Sequence, residues 1–180
     1  MSKPKPPMPT KLILSAIYVS RPAWQEVSSQ LEAKFGLIDY SSKEMDFGFT
    51  NYYEAEMGSP LFRQFLSFNQ PIRPDELAGA KLFTNSVEEK YSENDRRKVN
   101  LDPGILSLDN LVLATGKRSP HRVYLKDGIW ADLHLIFRSG SFQPLEWTYP
   151  DYKSEALIEV FNRLRESLKD KLKQESENAD

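Results

Sequence analysis

Apolar residues recur along this chain with two different spacings, and the spacings predict where its strands and helices lie. Residues 12–19 are almost wholly apolar, which is typical of a strand that is covered on both faces and therefore central in a sheet. Ser20 and Pro22 then suit the start of a helix, and Gly36 suits the position just after its end. Between them, an apolar stripe at helical spacing predicts a face that packs on the sheet, formed by Trp24, Val27, Leu31 and Phe35.

A second series of elements follows, and its order predicts the fold of the first half. Residues 37–50 and 61–68 have the composition of strands, and they flank a polar and aromatic loop at 51–60. Pro74 marks the start of a second helix, and residues 97–101 suit a further short strand. The resulting order is strand, helix, strand, strand, helix, strand. This is the order of a split βαβ unit, so we expect a ferredoxin-like half.

The second half of the chain predicts a meander that ends in a long helix. Asp102-Pro103-Gly104 is a strong turn signal, and residues 106–114 have the pattern of a short helix. Asp127-Gly128 separates two alternating runs and predicts a hairpin. A last helix is expected at residues 154–173. We therefore predict an α+β protein, in which a ferredoxin-like βαββαβ half is extended by a C-terminal antiparallel β-meander and a long terminal helix.

Length and composition predict a single soluble domain. The chain has 180 residues, a formal net charge of −2 and no cysteine. We place one α+β domain at residues 11–173, between a disordered Pro- and Lys-rich arm (1–10) and a disordered tail (174–180). Without cysteine, disulfides, thiolate catalysis and Cys-based zinc or iron–sulfur sites are excluded. No apolar run suits a membrane span or a signal peptide, so we expect a cytoplasmic protein without a membrane partner.

Both histidines of the chain are candidates for chemistry. If Asp127-Gly128 is a two-residue hairpin loop, His121 faces His134 and Val123 faces Asp132. Two imidazoles and one carboxylate would then share one face of the meander, which is an arrangement for binding a metal or for acid–base chemistry. A register shift of one residue would move these side chains to the opposite face. A solvent-facing strand surface is therefore the alternative.

A basic set of residues surrounds the predicted short helix. Residues 96–98 (Arg-Arg-Lys) precede it, and Lys117, Arg118, His121 and Arg122 follow it. If these ends meet, they form a positive pocket suited to phosphate or carboxylate, and otherwise they are two solvated loops. The segment 115–119 is not a P-loop, because leucine stands at the first glycine position and arginine at the hydroxyl position. Because the net charge is negative, we do not expect a nucleic-acid partner.

Five motifs together resemble one family. They read F-T-N-Y-Y-E-A-E-M-G, K-L-F-T-N, R-K-V-N-L-D-P-G, H-R-V-Y-L-K-D-G and W-T-Y-P-D-Y, and the resemblance that they carry covers about residues 11–168. The chain resembles a prokaryotic domain-of-unknown-function family, number 4416 in that series. The resemblance implies no activity, substrate or fold. His134 departs from the family pattern, which leaves His121 as the better candidate of the two histidines.

These observations lead to two functional expectations. The first is a protein, enzyme or not, that binds a small anionic or phosphorylated ligand in a polar and aromatic pocket. The second is a non-catalytic protein–protein interaction module. For the first, His121, Asp102 and Glu56 are the candidate catalytic groups. The remaining candidate ligand contacts are Tyr52, Tyr53, Glu54, Lys81, Asn85, Asn100, Lys117, Arg122, Trp147, Tyr149 and Asp151. We assign no metal, and the sequence does not identify a cofactor.

Overall fold

The computed structural model describes residues 1, 3–47, 53–94 and 96–178, and the chain divides into two compact units. The first unit contains residues 13–70 and 79–103. The second unit contains residues 1–12, 71–78 and 104–180. The single domain at 11–173 and the disordered ends stay predictions.

The sheet of the first unit is built around the strand that the apolar run predicts. Strand β1 (Lys11–Tyr18) is buried at every position. It lies between β7 (Val99–Leu106) and β4 (Phe62–Phe68), and it pairs with β4 in antiparallel fashion. Strand β2 (Ile38–Ser41) pairs with the other edge of β4, as does the short β3 (Met45–Asp46). The strand order is therefore β7-β1-β4-β2, and the central position of β1 is confirmed.

Among the described residues of this part of the chain, three α-helices and a small two-stranded ribbon accompany the sheet. Helix α1 (Arg21–Phe35) buries the four residues that its spacing predicts, namely Trp24, Val27, Leu31 and Phe35. Trp24 stacks on Tyr18 of β1 with 4.8 Å between ring centroids, which fixes the helix on the sheet. Helices α2 (Glu54–Met57) and α3 (Leu77–Lys90) follow, with a 3-10 turn at Pro74–Glu76 before α3. Strands β5 (Ser92–Glu93) and β6 (Arg96–Arg97) form the ribbon.

The second unit is an antiparallel meander with one long helix. Strands β8 (Asn110–Thr115), β10 (Ile129–Arg138) and β11 (Ser141–Pro144) pair in the order β11-β10-β8, and β8 pairs with the end of β7 from Gly104 onward. Strand β9 (Val123–Lys126) pairs with β10. Helix α4 (Glu155–Glu177) begins after Ser154, whose hydroxyl accepts a hydrogen bond from Leu157 N. The α+β class, the meander and the long terminal helix are confirmed, and the ferredoxin-like arrangement stays a prediction.

Two local predictions between residues 102 and 114 are wrong. Asp102-Pro103-Gly104 lies inside β7 and makes no turn, and residues 106–114 contain the end of β7 and most of β8 in place of a helix. The chain turns instead at residues 107–109. There the Ser107 hydroxyl accepts hydrogen bonds from Asp109 N and Asn110 N, which closes a β7–β8 hairpin. Tertiary strand pairing therefore outweighs the local turn propensity of Asp-Pro-Gly.

Two further segments differ from their predictions. The loop predicted at residues 51–60 contains the single helical turn α2, which is followed by Gly58 with φ +91°. The strand predicted at 37–50 is interrupted, since only β2 and β3 are strands and residues 48–50 lie outside the described residues. The final helix is also longer than predicted, because it continues to Glu177.

A pair of glycine substitutions tests the backbone conformation after α1 and inside α3. Gly36 has φ +91°, and a Cβ there would approach Asn69 Oδ1 to 2.9 Å. We expect Gly36→Ala to lower the free energy of unfolding by about 1–2 kcal/mol because of this left-handed backbone. Gly79 lies in α3 with nothing within 4 Å of an added Cβ, so Gly79→Ala should raise the free energy of unfolding by about 0.5–1 kcal/mol. Urea denaturation would measure both, and shifts of equal sign would contradict the account.

Candidate functional site

In the second unit, a buried carboxylate gathers three basic side chains. Asp132 on β10 is 1% exposed. Its Oδ2 accepts a hydrogen bond of 2.8 Å from Arg122 Nε and lies 3.3 Å from His134 Nε2. Its Oδ1 lies 3.4 Å from His121 Nε2. We call these four residues the Asp132 cluster.

A bulge in β10 places His134 in this cluster. Leu133 pairs with Val112 and Leu135 pairs with Leu111 on β8, so His134 between them is an extra residue in the ladder. The carbonyl of His134 accepts a short hydrogen bond from the Thr148 hydroxyl, so the bulge leaves no buried acceptor unpaired at this point. The bulge thus buries both Leu135 and His134, each of which is 0% exposed.

The ring of His134 is enclosed by aromatic side chains. Its centroid lies 4.5 Å from that of Tyr149 and 5.6 Å from that of Tyr152. Within the described part of the chain neither ring nitrogen forms a hydrogen bond of acceptable geometry, although Nε2 is close to Asp132. A fully buried imidazole with open hydrogen-bonding capacity is uncommon, and such groups recur at functional sites.

His121 forms the solvent-facing part of the cluster, and its ring contacts Ser119 and Trp147 in addition to Asp132. It stacks on Trp147 with 4.8 Å between centroids, and its Nδ1 lies 3.0 Å from the Ser119 hydroxyl. Trp147 is itself fixed, since its Nε1 donates to Leu133 O at 2.7 Å. The side chain of His121 remains 25% exposed, so it reaches solvent from a defined position.

Arg122 connects the cluster to the preceding loop and to Tyr149. Besides Asp132, its NH1 donates to Lys117 O at 2.8 Å and its NH2 donates to Tyr149 OH at 3.2 Å. Burial alone would raise the pKa of Asp132, but His134 and Arg122 outweigh it and hold the pKa below its usual value. The carboxylate is therefore ionised at neutral pH and keeps Arg122 in place.

The register predicted for this hairpin is wrong, although the predicted convergence of its side chains is found. Lys126 pairs with Ile129 across Asp127-Gly128, as a two-residue loop requires, and both loop residues have positive φ. A register shift then pairs Trp130 with Tyr124 and Ala131 with Val123. The predicted pairs of His121 with His134 and of Val123 with Asp132 are therefore not formed. The side chains meet because Arg122 and His121 reach across from the loop to the buried Asp132.

The alternative of a solvent-facing strand surface is wrong for Asp132 and His134, because both are buried. The final set of predicted site residues left out Asp132, His134 and Ser119, although Asp132 and His134 were predicted to share one face of the meander with His121. The alternation along β10 did place Asp132 on the same face as His134. The remaining predicted residue of this region, Asp151, is half-buried, and its carbonyl accepts a hydrogen bond from Ser154 N before α4.

Other predicted site residues lie together in the first unit, in a network of charged side chains. Glu88 Oε1 accepts from Leu101 N at 2.7 Å, and its Oε2 accepts from Arg97 NH1 at 2.9 Å. Arg97 also forms a two-bond contact with Glu56, at 2.5 and 2.8 Å. Lys81 Nζ donates to Leu101 O at 2.7 Å and lies 3.7 Å from Glu88. We call this set, together with Asn100 and Asp102, the Glu88 network.

The two remaining members close the Glu88 network. Lys81 Nζ also lies 3.3 Å from Asp102 Oδ1, and Asn100 Nδ2 donates to Asp102 Oδ2 at 2.7 Å. Burial raises the pKa of Glu88 above its usual value, and Lys81 is the strongest of the groups that oppose this shift. Every carboxylate of the network already has a cationic or amide partner, which is typical of an internal brace between α2, α3 and β7.

Three predicted residues of this unit lie outside the Glu88 network as it is described. Tyr53 packs against Phe47 with 5.9 Å between ring centroids. Glu54 and Asn85 are exposed, on α2 and α3 respectively. Tyr52 lies outside the described residues. The proposed roles of these residues, and of Glu56 and Asp102 as catalytic groups, stay predictions.

The residues that the structure describes contain neither a group of metal ligands nor a membrane-spanning helix. Within residues 1, 3–47, 53–94 and 96–178, no group of three or more His, Cys, Asp or Glu side chains is placed to hold a metal ion. No helix of that same part combines the length and the apolar character that crossing a bilayer requires. A hollow of about 860 Å³ lies along α4 between Asn162 and Gln174, and none of the predicted site residues lines it.

Comparison with known proteins identifies a family and nothing more specific. No curated protein matches the chain, and no solved structure matches it. The model of one family matches residues 8–168, and that family is described as a domain of unknown function. The chain therefore belongs to the domain-of-unknown-function family DUF4416.

Proposed function

We propose that the chain binds a small anionic ligand, including phosphorylated ones, beside the Asp132 cluster. The observation that supports this most is the charge of the loop at residues 116–122. Lys117, Arg118 and Arg122 carry three positive charges there, and the imidazole of His121 lies beside the carboxylate of Asp132. Positive charges at a site with a fixed geometry favour phosphate and carboxylate groups.

Some of these side chains position the loop, and others contact the ligand. Arg122 uses three of its five N–H groups within the protein, so we assign it mainly to positioning the loop and Tyr149. Lys117 and Arg118 are exposed, so we assign contact with the anion to these two, and His121 lies partly exposed beside them in sequence. Trp147 and Tyr149 are 39% and 43% exposed and offer flat surfaces to the rest of the ligand.

A fluorescence titration with inorganic phosphate and pyrophosphate tests this site. Because Trp147 stacks on His121, we expect a saturable change in tryptophan fluorescence that Trp147→Phe removes. The double variant Lys117→Ala with Arg118→Ala should bind at least about tenfold more weakly, since each charged hydrogen bond contributes about 1.5–3 kcal/mol. Lys169→Ala with Lys173→Ala on α4 removes the same charge and should bind as the unmodified chain does. Equal weakening in both double variants would reduce the effect to bulk charge and refute the site.

A second candidate function, a protein–protein interaction module, is favoured by one surface. All four residues of β9 are exposed, among them Val123, Tyr124 and Leu125 at 67%, 53% and 39%. Neighbouring exposed apolar residues on a strand favour pairing with another chain. The titration separates the two candidates, because a chain that gives no response to either anion would favour the interaction module. We also retain the proposals of a bacterial origin and a cytoplasmic location.

A further inference from the structure

A chain of polar contacts runs from Ser119 through His121 to Asp132. The Ser119 hydroxyl lies 3.0 Å from His121 Nδ1, and His121 Nε2 lies 3.4 Å from Asp132 Oδ1. Oδ1 is buried and accepts no hydrogen bond from any residue that the structure describes. It can therefore still accept one from the His121 imidazole beside it. Hydroxyl, imidazole and buried carboxylate in this order form the arrangement that activates a serine nucleophile, and such contacts are commonly long before substrate binds.

The charge of Asp132 determines which nitrogen of His121 carries the proton. An ionised carboxylate only accepts hydrogen bonds, so it favours the tautomer with the proton on Nε2. Nδ1 is then an acceptor, and the Ser119 hydroxyl is the donor that faces it at 3.0 Å. This tautomer is the one that can accept the hydroxyl proton as the oxygen attacks a substrate.

The remaining contacts hold this relay in position. Arg122 Nε and His134 Nε2 both face the other oxygen of Asp132, Oδ2, which leaves Oδ1 directed to His121. The stack on Trp147 fixes the plane of the His121 ring. The backbone is fixed as well, since Arg122 N donates to Ser119 O at 3.1 Å across the turn that contains Pro120.

We propose that Ser119 is a nucleophile activated by His121, and that its substrates are esters of small acids that carry a negative charge. Asp132 is a positioning residue in this scheme, because it acts on the substrate only through His121. The substrate class rests on the proposed anion site, since Lys117 and Arg118 directly precede Ser119 in the loop.

The reaction has two steps, the acylation of Ser119 and the hydrolysis of the acyl-serine. The Ser119 oxygen forms a bond to the carbonyl carbon of the ester while its proton passes to His121 Nδ1. The ester bond then breaks, and the leaving alcohol takes that proton from His121. Water attacks the acyl-serine in the same way, and the products are the acid, the alcohol and the original serine. Asp132 stays ionised throughout and stabilises the imidazolium.

An introduced thiol measures the activation directly, because the chain contains no cysteine. Ser119→Cys provides one thiol beside His121, and Ser176→Cys provides one on the exposed end of α4. The ordinary thiol pKa is about 8.5, and a neighbouring imidazole lowers it. We expect iodoacetamide to alkylate the Ser119→Cys variant at least about tenfold faster at pH 7 than the Ser176→Cys variant. The addition of His121→Ala should abolish that difference, with folding checked by circular dichroism.

Covalent labelling of the unmodified serine provides the second measurement. Diisopropyl fluorophosphate is uncharged, so its reaction reports on Ser119 and does not require the anion site. We expect peptide mapping to find the adduct at Ser119, and Ser119→Ala or His121→Ala to prevent it. No adduct at Ser119, together with equal alkylation rates of the Ser119→Cys and Ser176→Cys variants, would overturn the proposal, even if phosphate binds. An adduct without phosphate binding would keep the nucleophile and refute only the anionic substrate class.

Discussion

Replacement of Glu88 by alanine is expected to lower the free energy of unfolding by about 3–5 kcal/mol at pH 7. The loss follows from the groups that Glu88 leaves behind. The N–H of Leu101 and the guanidinium of Arg97 would each lose an acceptor, and the buried Lys81 would lose a carboxylate 3.7 Å away, losses that water does not replace at low cost. Urea denaturation measures the effect. Glu89→Ala changes an exposed neighbour on the same helix and should shift the free energy by no more than about 0.5 kcal/mol.

A double variant distinguishes stabilisation by the ion pairs of the Glu88 network from stabilisation by packing. Glu88→Gln with Lys81→Met keeps an acceptor for Leu101 N and removes both buried charges, so the double variant should lose less than the sum of the single losses. Additive losses would contradict a coupled network. The pH dependence has a definite sign, because burial raises the pKa of Glu88 in the fold. The proton-linked part of its contribution to stability is full below the unfolded pKa of about 4.3 and is lost as pH rises through the folded pKa. Glu88→Gln should lack that decline.

Sequence reasoning located the elements whose periodicity matches their burial. The apolar run of β1 and the stripe of α1 predicted a central strand and a sheet-facing helix, because few alternatives bury so many apolar side chains. Asp102-Pro103-Gly104 gave the wrong result for a physical reason. Local turn propensity amounts to a few tenths of a kcal/mol to about 1 kcal/mol, and the pairing of β7 on both of its edges exceeds it.

The candidate site was predictable only in part, and the limit is the register of β9 and β10. A single bulge near Leu125 changes every cross-strand pair beyond it, and no residue type in the sequence marks that bulge. His121 was predicted as a site residue and lies in the Asp132 cluster, while Asp132 was predicted to share a face with both histidines but was left out of the final set. A buried carboxylate is identified by its partners, and those partners are known only once the loop at 116–122 is placed against β10.

Removal of the Asp132 carboxylate is the second substitution with a large expected effect. Asp132→Ala should lower the free energy of unfolding by about 3–5 kcal/mol at pH 7, because Arg122 and the two histidines would lose the carboxylate that they surround. Asp109→Asn, at an exposed position of the β7–β8 turn, is the matched control and should shift it by no more than about 0.5 kcal/mol. Loss of the Arg122 contact should also free the loop at 116–122 and change the fluorescence of Trp147.

The acid dependence of this loss identifies its cause. His134 and Arg122 lower the pKa of Asp132 in the fold, so the stability that it contributes is present above the unfolded pKa of about 3.9 and is lost as pH falls through the folded pKa. As far as this carboxyl determines it, the difference in free energy of unfolding between the unmodified chain and Asp132→Asn should be constant from pH 7 down to about pH 5. It should shrink below about pH 4. Denaturation at matched ionic strength would measure it. A difference that persists unchanged into acid would assign the loss to packing, and the charge of Asp132 would then not hold the cluster together.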